Sequence, residues 1–258
     1  MPFTQYFTLM DTLARFRLRA DARRYFFGYL WWILEPLLYV AVFYIVFERL
    51  LGSRQPDFLV FLAVGKLTFI WFSKSVAQAA GSLTLNKGVI GQVNLPKHLF
   101  PLAVLHEGLY RQLAVFSFLL VFISFAGFSP HATWWYLLPI AVVQYCLIIG
   151  CGLFAALLVC VKRDFQLLIS LGMVFLLFMS GIFWDIRSID DPLLADWLMI
   201  LNPLAGLIDS YRAVLMLNQS PDINRLTMIF VEAAVLTGAA IVSYRRLHYW
   251  VAKKALVS

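Results

Sequence analysis

Six stretches of mostly apolar residues follow one another along the chain, at roughly 30–50, 58–81, 108–127, 135–160, 165–183 and 226–244. A run of about 20 such residues crosses ~30 Å of hydrocarbon as an α-helix. The alternating segments of about ten residues that build a membrane β-barrel are absent. So are internal repeats and low-complexity tracts. The pattern predicts an all-α integral membrane protein with six transmembrane helices, forming one domain over residues 1–258.

Residues 193–217 are nearly apolar enough for a seventh span, but they contain Asp196, Asn202-Pro203, Asp209 and Arg212. Asp191-Pro192 and Asn202-Pro203 each place an N-cap before a proline at the first helical position. Two helices follow, near 192–201 and 203–217, each too short to cross. Residues 184–225 therefore read as a re-entrant segment that dips in from the outer face and returns. Its candidate gate residues are Trp184, Asp191, Pro192, Asn202, Pro203, Asp209 and Arg212. The plainer alternative is a loop on the outer surface. Asp209 and Arg212 are three apart on the second helix, which predicts that they pair.

The N-terminal residues 1–27 have another period. Phe3, Tyr6, Phe7, Met10, Leu13 and Ala14 recur at helical spacing, with Thr4, Thr8, Asp11, Arg15 and Arg19 along another face. This predicts an amphipathic helix in the cytoplasmic interface, either an anchor or a docking surface. These residues hold five arginines and no apolar stretch, so the first span is expected to serve as the targeting signal.

Composition supports the membrane reading: 62% of the 258 residues are hydrophobic, 14% charged, and mean hydropathy is +0.82. Soluble domains are closer to 45–50% apolar and about 25% charged. The net charge of +7 is better explained by basic loops facing an anionic leaflet than by nucleic acid. Thirteen of the 21 Lys and Arg fall on one side of the six spans, from Arg15 to Lys254. Arg49, Arg54, Arg187, Arg212 and Arg225 fall on the other, and Lys66, Lys74 and Arg111 lie within or near spans. Both termini are therefore expected in the cytoplasm.

No catalytic constellation is present. His106-Glu107 begins like a zinc-binding H-E-x-x-H, but Tyr110 occupies the second ligand position. Gly65-Lys66 is followed by Leu67, with Val60 where a phosphate loop needs its first glycine. Cys146, Cys151 and Cys160 sit in one apolar stretch without C-x-x-C spacing, so no metal site or disulfide is expected. If ATP drives transport, a separate chain must bind the ATP and Mg; no cofactor is expected in this one.

The intramembrane charges Lys66, Lys74 and Glu232 stand out, because charge is costly in hydrocarbon. Lys66 and Glu232 lie at comparable depth, which suggests a pair, and Lys74 suits snorkelling. Glu107 and Arg111 are spaced as a helical pair. Trp31, Trp32, Trp134, Trp135, Tyr136, Tyr249 and Trp250 suit interface belts. Tyr39, Phe43, Phe69, Trp71, Phe72, Phe175 and Phe178 lie deeper. Singly each suits packing; as a group they suit an aromatic-lined substrate channel. The largest cytoplasmic loop, 82–101, carries a short element between Leu83 and Pro96. It is the candidate for coupling to a partner ATPase, through Leu85, Asn86, Lys87, Gly88, Val89, Ile90 and Lys97.

Four segments in order carry a family resemblance. FGYLWWILEPLLYVAVFYIVFERLLG (27–52) resembles the first-span signature of ABC-2-type permeases that export O-antigen, capsule or teichoic acid chains. NLPKHLFPLAVL (94–105) resembles the stretch after that family's coupling helix, and VKRDFQLLI (161–169) its Arg-Asp element before the fifth span. LNPLAGLIDSYR (201–212) resembles the Asn-Pro of its outer gate helices. The resemblance implies a permease homodimer with two ABC ATPase subunits, moving a lipid-linked glycan across the bacterial inner membrane, with no nucleic-acid partner. An exporter of a small lipid or drug is the runner-up. A channel or secondary transporter would need an ion path or inverted repeats, and neither is visible. A membrane enzyme would need acids clustered at one interface, for which Asp185, Asp190, Asp191 and Asp196 are the candidates.

Overall fold

The computed structural model describes residues 3–50, 52, 57–92, 95–246 and 254. Arg54, His248, Tyr249, Trp250 and Lys253 lie outside the described residues, as does the side chain of Arg49. Every regular element among the described residues is helical. In chain order they are α1 (Phe3–Arg24), α2 (Trp31–Tyr44), α3 (Phe58–Ala80), α4 (Ser82–Leu85), α5 (Lys87–Gln92), α6 (Leu99–Phe125), α7 (Leu137–Val161), α8 (Asp164–Met179), α9 (Pro192–Leu201), α10 (Pro203–Leu215) and α11 (Ile223–Arg246).

Five helical stretches are long and apolar enough to cross a bilayer: Gly28–Phe47, Phe58–Ala80, Leu99–Phe125, Ala132–Val161 and Ile223–Arg246. They carry five of the six expected spans. The sixth, α8, has 16 residues, or about 24 Å of helix. It still runs from the end of α7 to the opposite end of the bundle, where its last turn meets Asn202. The helix ends at Met179 rather than at 183, and a turn and bend over residues 180–184 follow it. The third span begins nine residues earlier than its apolar run suggests, because Pro101 falls in the first turn of α6, where its missing N–H breaks no helical bond.

The bundle is arranged around α3, which touches α2, α6, α7, α8 and α10. Its side chains from Phe58 through Phe69 are almost wholly buried. Contacts join α2 to α6, α6 to α7 and α7 to α8, which places these four around α3; α11 packs along α7. The ring is open between α8 and α2, which meet through the Phe183 ring against Phe43 and Phe178, at 4.8 and 5.5 Å between centroids. No residue of α8 is buried, and in α2 only Pro36 and Val40 are.

At the end of the bundle that holds the start of α6, α1 lies across that helix. Met10, Ala14, Leu18 and Ala22 face inward four residues apart, while Phe7 and Phe16 point outward. The buried stripe thus runs further along the helix than the apolar N-terminal positions imply. Glu107, 3% exposed, is the ionic centre of the contact. It accepts from Arg17 of α1 at 2.8 Å and from Arg111 one turn along α6. Arg111 also bonds Asp21 of α1 at 3.0 Å. Asp11 accepts from the Tyr110 hydroxyl and pairs with Arg15 at 2.9 Å. These bonds, the Tyr110 hydrogen bond first, hold the Asp11 carboxyl below its usual range. The expected Glu107–Arg111 pair is present, and it also grips a second helix.

Replacing Glu107 with Ala should strand two cations at a helix interface. A fully buried pair broken this way loses ~3–5 kcal/mol; Arg17 and Arg111 stay partly exposed, so about 2 kcal/mol is expected. In mild detergent the melting temperature should fall and trypsin should cut α1 at Arg17 and Arg19 faster. Unchanged cleavage would show that α1 is held by its apolar stripe alone.

Candidate functional site

The end of the bundle away from α1 is closed by α9 and α10, which are bent 107° at Asn202. The two cap-and-proline starts form as read. Asp191 accepts from the backbone N–H of Leu193 and Leu194 at 2.9 and 3.4 Å, and Asn202 accepts from Leu204 at 3.2 Å. Asn202 also donates to Ser180 Oγ at 2.9 Å and to the Met179 carbonyl at 3.3 Å. The bend is thereby tied to the last turn of α8. Trp184 donates to the Phe178 carbonyl at 3.0 Å. The two helices differ in burial. Nearly all of α10 is buried, whereas α9 exposes Leu193, Leu194, Trp197 and Leu201.

Arg212 does not pair with Asp209. Its guanidinium, on a residue only 7% exposed, donates to the carbonyls of Gly181 at 2.6 Å and of Ile182 and Phe61 at 3.1 Å. It lies 3.3 Å from the Phe61 ring centroid. The break after α8 leaves carbonyls without helical partners, and a planar five-donor fork collects them better than it serves one carboxylate. Two glycines permit the seat. Gly181 takes a left-handed φ of +66°, and a Cβ on Gly65 would stand 2.6 Å from Arg212 Nη2. Asp209 is gripped instead by two guanidinium nitrogens of Arg187, Nε at 2.9 Å and Nη2 at 3.0 Å, which raises the Arg187 pKa. Asp196 of α9 pairs with Arg225 of α11 at 3.3 Å.

Lys66 and Glu232 form no pair. Lys66, 6% exposed, has its ammonium over the rings of Phe43, Tyr39 and Phe69 at 4.7, 5.5 and 5.8 Å. Each ring face is worth ~0.5–2 kcal/mol to a cation. Glu232 lies elsewhere, beside Arg225 and Met199 in a hollow between α9 and α11. Lys74 pairs with Glu35 of α2 at 2.6 Å, a carboxylate easy to overlook at the polar start of the first span.

The seven deep aromatics separate. Tyr39, Phe43, Phe175 and Phe178 lie on the α2 and α8 flank beside the opening in the ring, where Tyr39, Phe175 and Phe178 are exposed. Phe69 backs them under Lys66. Trp71 and Phe72, each 4% exposed, are packed inside a single chain, Trp71 stacked on Tyr145. These two are core residues and line no open path on that flank. They share the helix of Phe69 but point from other faces of it.

The loop between α3 and α6 folds as two short helices, α4 and α5. Leu83 and Ile90 are buried with Leu153, Cys160 and Tyr244, under the ends of α7 and α11. Leu85, Lys87, Gly88 and Val89 are exposed at the tip. Asn86 donates to the Ser82 carbonyl at 2.7 Å. Lys97 is not part of the exposed surface. It is 4% exposed, its ammonium reaches the Ile90 carbonyl at 3.4 Å, and burial lowers its pKa. It staples the loop to the start of α6.

Three of the four acids proposed as an enzyme cluster serve separate tasks. Asp185 accepts from the Arg187 N–H at 3.0 Å, Asp191 caps α9, and Asp196 pairs with Arg225. Among the described residues, no three His, Cys, Asp or Glu come together as metal ligands.

Residues 8–216, from α1 through the end of α10, match the ABC-2 type transporter membrane family. The chain is 26% identical to an O-antigen export system permease protein, RfbA, of Klebsiella pneumoniae, over 94% of this chain and 93% of that one. It is 27% identical to the protein of the same name in Myxococcus xanthus, over 92% and 91% of the two chains. It is 26% identical to the polysialic acid transport protein KpsM of Escherichia coli, over 83% and 84%. The helical bundle and a family match over most of its length make this chain a membrane permease of the ABC-2 type transporter family.

Proposed function

We propose that the chain is the permease subunit of an ATP-driven exporter that moves a lipid-linked polysaccharide across the bacterial inner membrane. The observation that carries this reading is the opening between α8 and α2. Leu38, Tyr39, Val42, Leu171, Phe175 and Phe178 are exposed there and form an apolar and aromatic surface. A second copy facing it would enclose a path between the two chains. Tyr39, Phe43 and Phe178 would line the path and Lys66 would lie just behind. Ring faces stack on sugars of any sequence, and the permease relatives named for O-antigen and polysialic acid fit a polymeric glycan.

The α1 end is assigned to the cytoplasm because Arg15, Arg17, Arg19, Arg23, Arg24, Lys87, Lys162 and Arg163 collect there. Both termini then face the cytoplasm. Two separate ABC ATPase chains, which bind ATP and Mg, dock on the exposed tip of α4 and α5, where Leu85 and Val89 offer an apolar contact beside Lys87. Force applied there reaches α7 and α11 through Leu83 and Ile90. At the outer end, α9 and α10 act as the gate, with α10 fixed to α3 and α9 the free lip.

Coupling is tested in proteoliposomes with the partner ATPase. The purified chain alone should hydrolyse no ATP. Leu85→Asp with Val89→Asp should lower ATPase capture and glycan transport at least tenfold, roughly the loss of 1.4 kcal/mol, while the bundle melts as before. Full transport by this double variant, or ATP turnover by the chain alone, would remove the ATPase-docking assignment.

The gate depends on Arg212. Arg212→Ala leaves the Gly181 and Ile182 carbonyls without their donor and should cost about 3 kcal/mol. Arg212→Lys should recover only part, because an ammonium lacks the planar fork. Liposomes holding the Ala variant should leak small ions in the absence of ATP. A tight, fully stable Arg212→Ala protein would show that the seal lies elsewhere.

A further inference from the structure

Between α2, α3 and α6, near the α1 end, lies a cavity of about 50 Å³. Its walls carry Glu35, Trp71, Lys74, Arg111 and Gln112, with Trp32 at one side. Three of the residues lining it each carry a buried donor with no protein partner: Trp71 Nε1, Arg111 Nε and Gln112 Nε2. Trp71 and Gln112 are 4% and 6% exposed. Two of the donors are held in place. Trp71 stacks on Tyr145 with an interplanar angle of 8°, and Arg111 is fixed by Glu107 and Asp21 with its guanidinium 5.5 Å from the Trp32 ring centroid. Three N–H groups without acceptors, plus the Lys74 ammonium, describe a receptor for an acceptor-only group.

The same Trp71 and Gln112 border a second space. An apolar groove of about 350 Å³ runs along α6 and α7, lined by Leu113, Phe116, Leu120, Trp134 and Leu138. From Gln112 to Leu120 it follows eight residues of α6, about 12 Å, close to the depth of one hydrocarbon leaflet. A polar pocket rich in donors therefore opens into an apolar trough of leaflet length. Lys74 lies six residues from the end of α3, about 9 Å of helix, so the polar part is within reach of the headgroup level.

We propose that this cavity and groove bind one glycerophospholipid of the surrounding bilayer. Its phosphodiester oxygens accept from Trp71, Arg111, Gln112 and Lys74, and one acyl chain lies in the groove. The charges of the pocket already balance as Lys74 with Glu35 and Arg111 with Glu107. A phosphodiester with at most one net charge suits that balance better than a multiply charged diphosphate. The groove lies on the α6 and α7 side of α3, away from the opening between α8 and α2, so the bilayer supplies the ligand. A resident lipid here braces α2 against α6 under the α1 clamp. The proposal rests on the chain spanning a membrane and not on the transported glycan.

The test is lipid retention. The full chain is purified in mild detergent and delipidated by repeated detergent exchange. Bound lipid is then read by native mass spectrometry and phosphorus content. Wild type should keep one glycerophospholipid per chain. Trp71→Phe, which keeps the ring on Tyr145 and removes only the N–H, should lower retention about tenfold. Trp71→Phe with Gln112→Leu should abolish it. Equal retention by wild type and Trp71→Phe, no retention by wild type, or retention of a polyprenyl phosphate in place of a glycerophospholipid would each overturn the proposal. Because Trp71→Phe is the mildest change at the site, loss of folding in the double variant leaves the test intact.

Discussion

The guanidinium of Arg212 holds together three parts of the chain that sequence places far apart. Its bonds to Gly181, Ile182 and Phe61 join α10 to the broken end of α8 and to the first turn of α3. A helix break at membrane depth exposes carbonyls that lipid cannot satisfy. Without an internal donor, α8 would have to continue as a longer helix or end at the surface. With Arg212 in place, the chain can turn at Gly181 and lead into α9 and α10. The closure of that end of the bundle depends on one residue meeting a shortage of donors.

The same constraint explains how the other buried charges are settled, each by different means. Glu107 is neutralised by arginines from two helices, and that fixes α1. Lys74 finds Glu35 across α2 and α3. Lys66 has only ring faces. The first two are structural locks away from the opening between α8 and α2. Lys66 lies next to that opening, and it is the buried cation among them without a carboxylate. A cation left in that state beside an aromatic surface is suited to attract an anionic group in passage, and the rings shield it when the path is empty.

Much of the bundle was legible in the sequence because lipid imposes a simple length rule. The apolar runs located five helices long enough to cross and the shorter α8, and the paired cap-proline signals located α9 and α10 almost to the residue. What was not legible was which polar group meets which. Asp209 and Arg212 are spaced to pair, yet Arg187 and three backbone carbonyls take them, and no local pattern shows a bare carbonyl created by a break 31 residues away. Lys66 with Glu232 matched in depth but not in direction around the bundle. Lys97 looked like a docking charge because loop lysines usually face water, whereas here it closes on Ile90. Trp71 and Phe72 resembled their neighbour Phe69, but one helix presents successive residues to different faces. Glu35 carried a readable signal, a carboxylate inside an apolar run.

The central claim is that the chain between α8 and α11 enters the membrane and returns on the same side. Single cysteines at Ser188 and Gln219, placed before α9 and after α10 in a background without Cys146, Cys151 and Cys160, test it directly in intact spheroplasts. The account predicts that a membrane-impermeant thiol reagent added outside labels both positions to similar extents. Outside labelling at Ser188 with Gln219 reactive only after the cells are opened would mean that α9 and α10 cross, and the re-entrant closure built on Arg212 would be wrong.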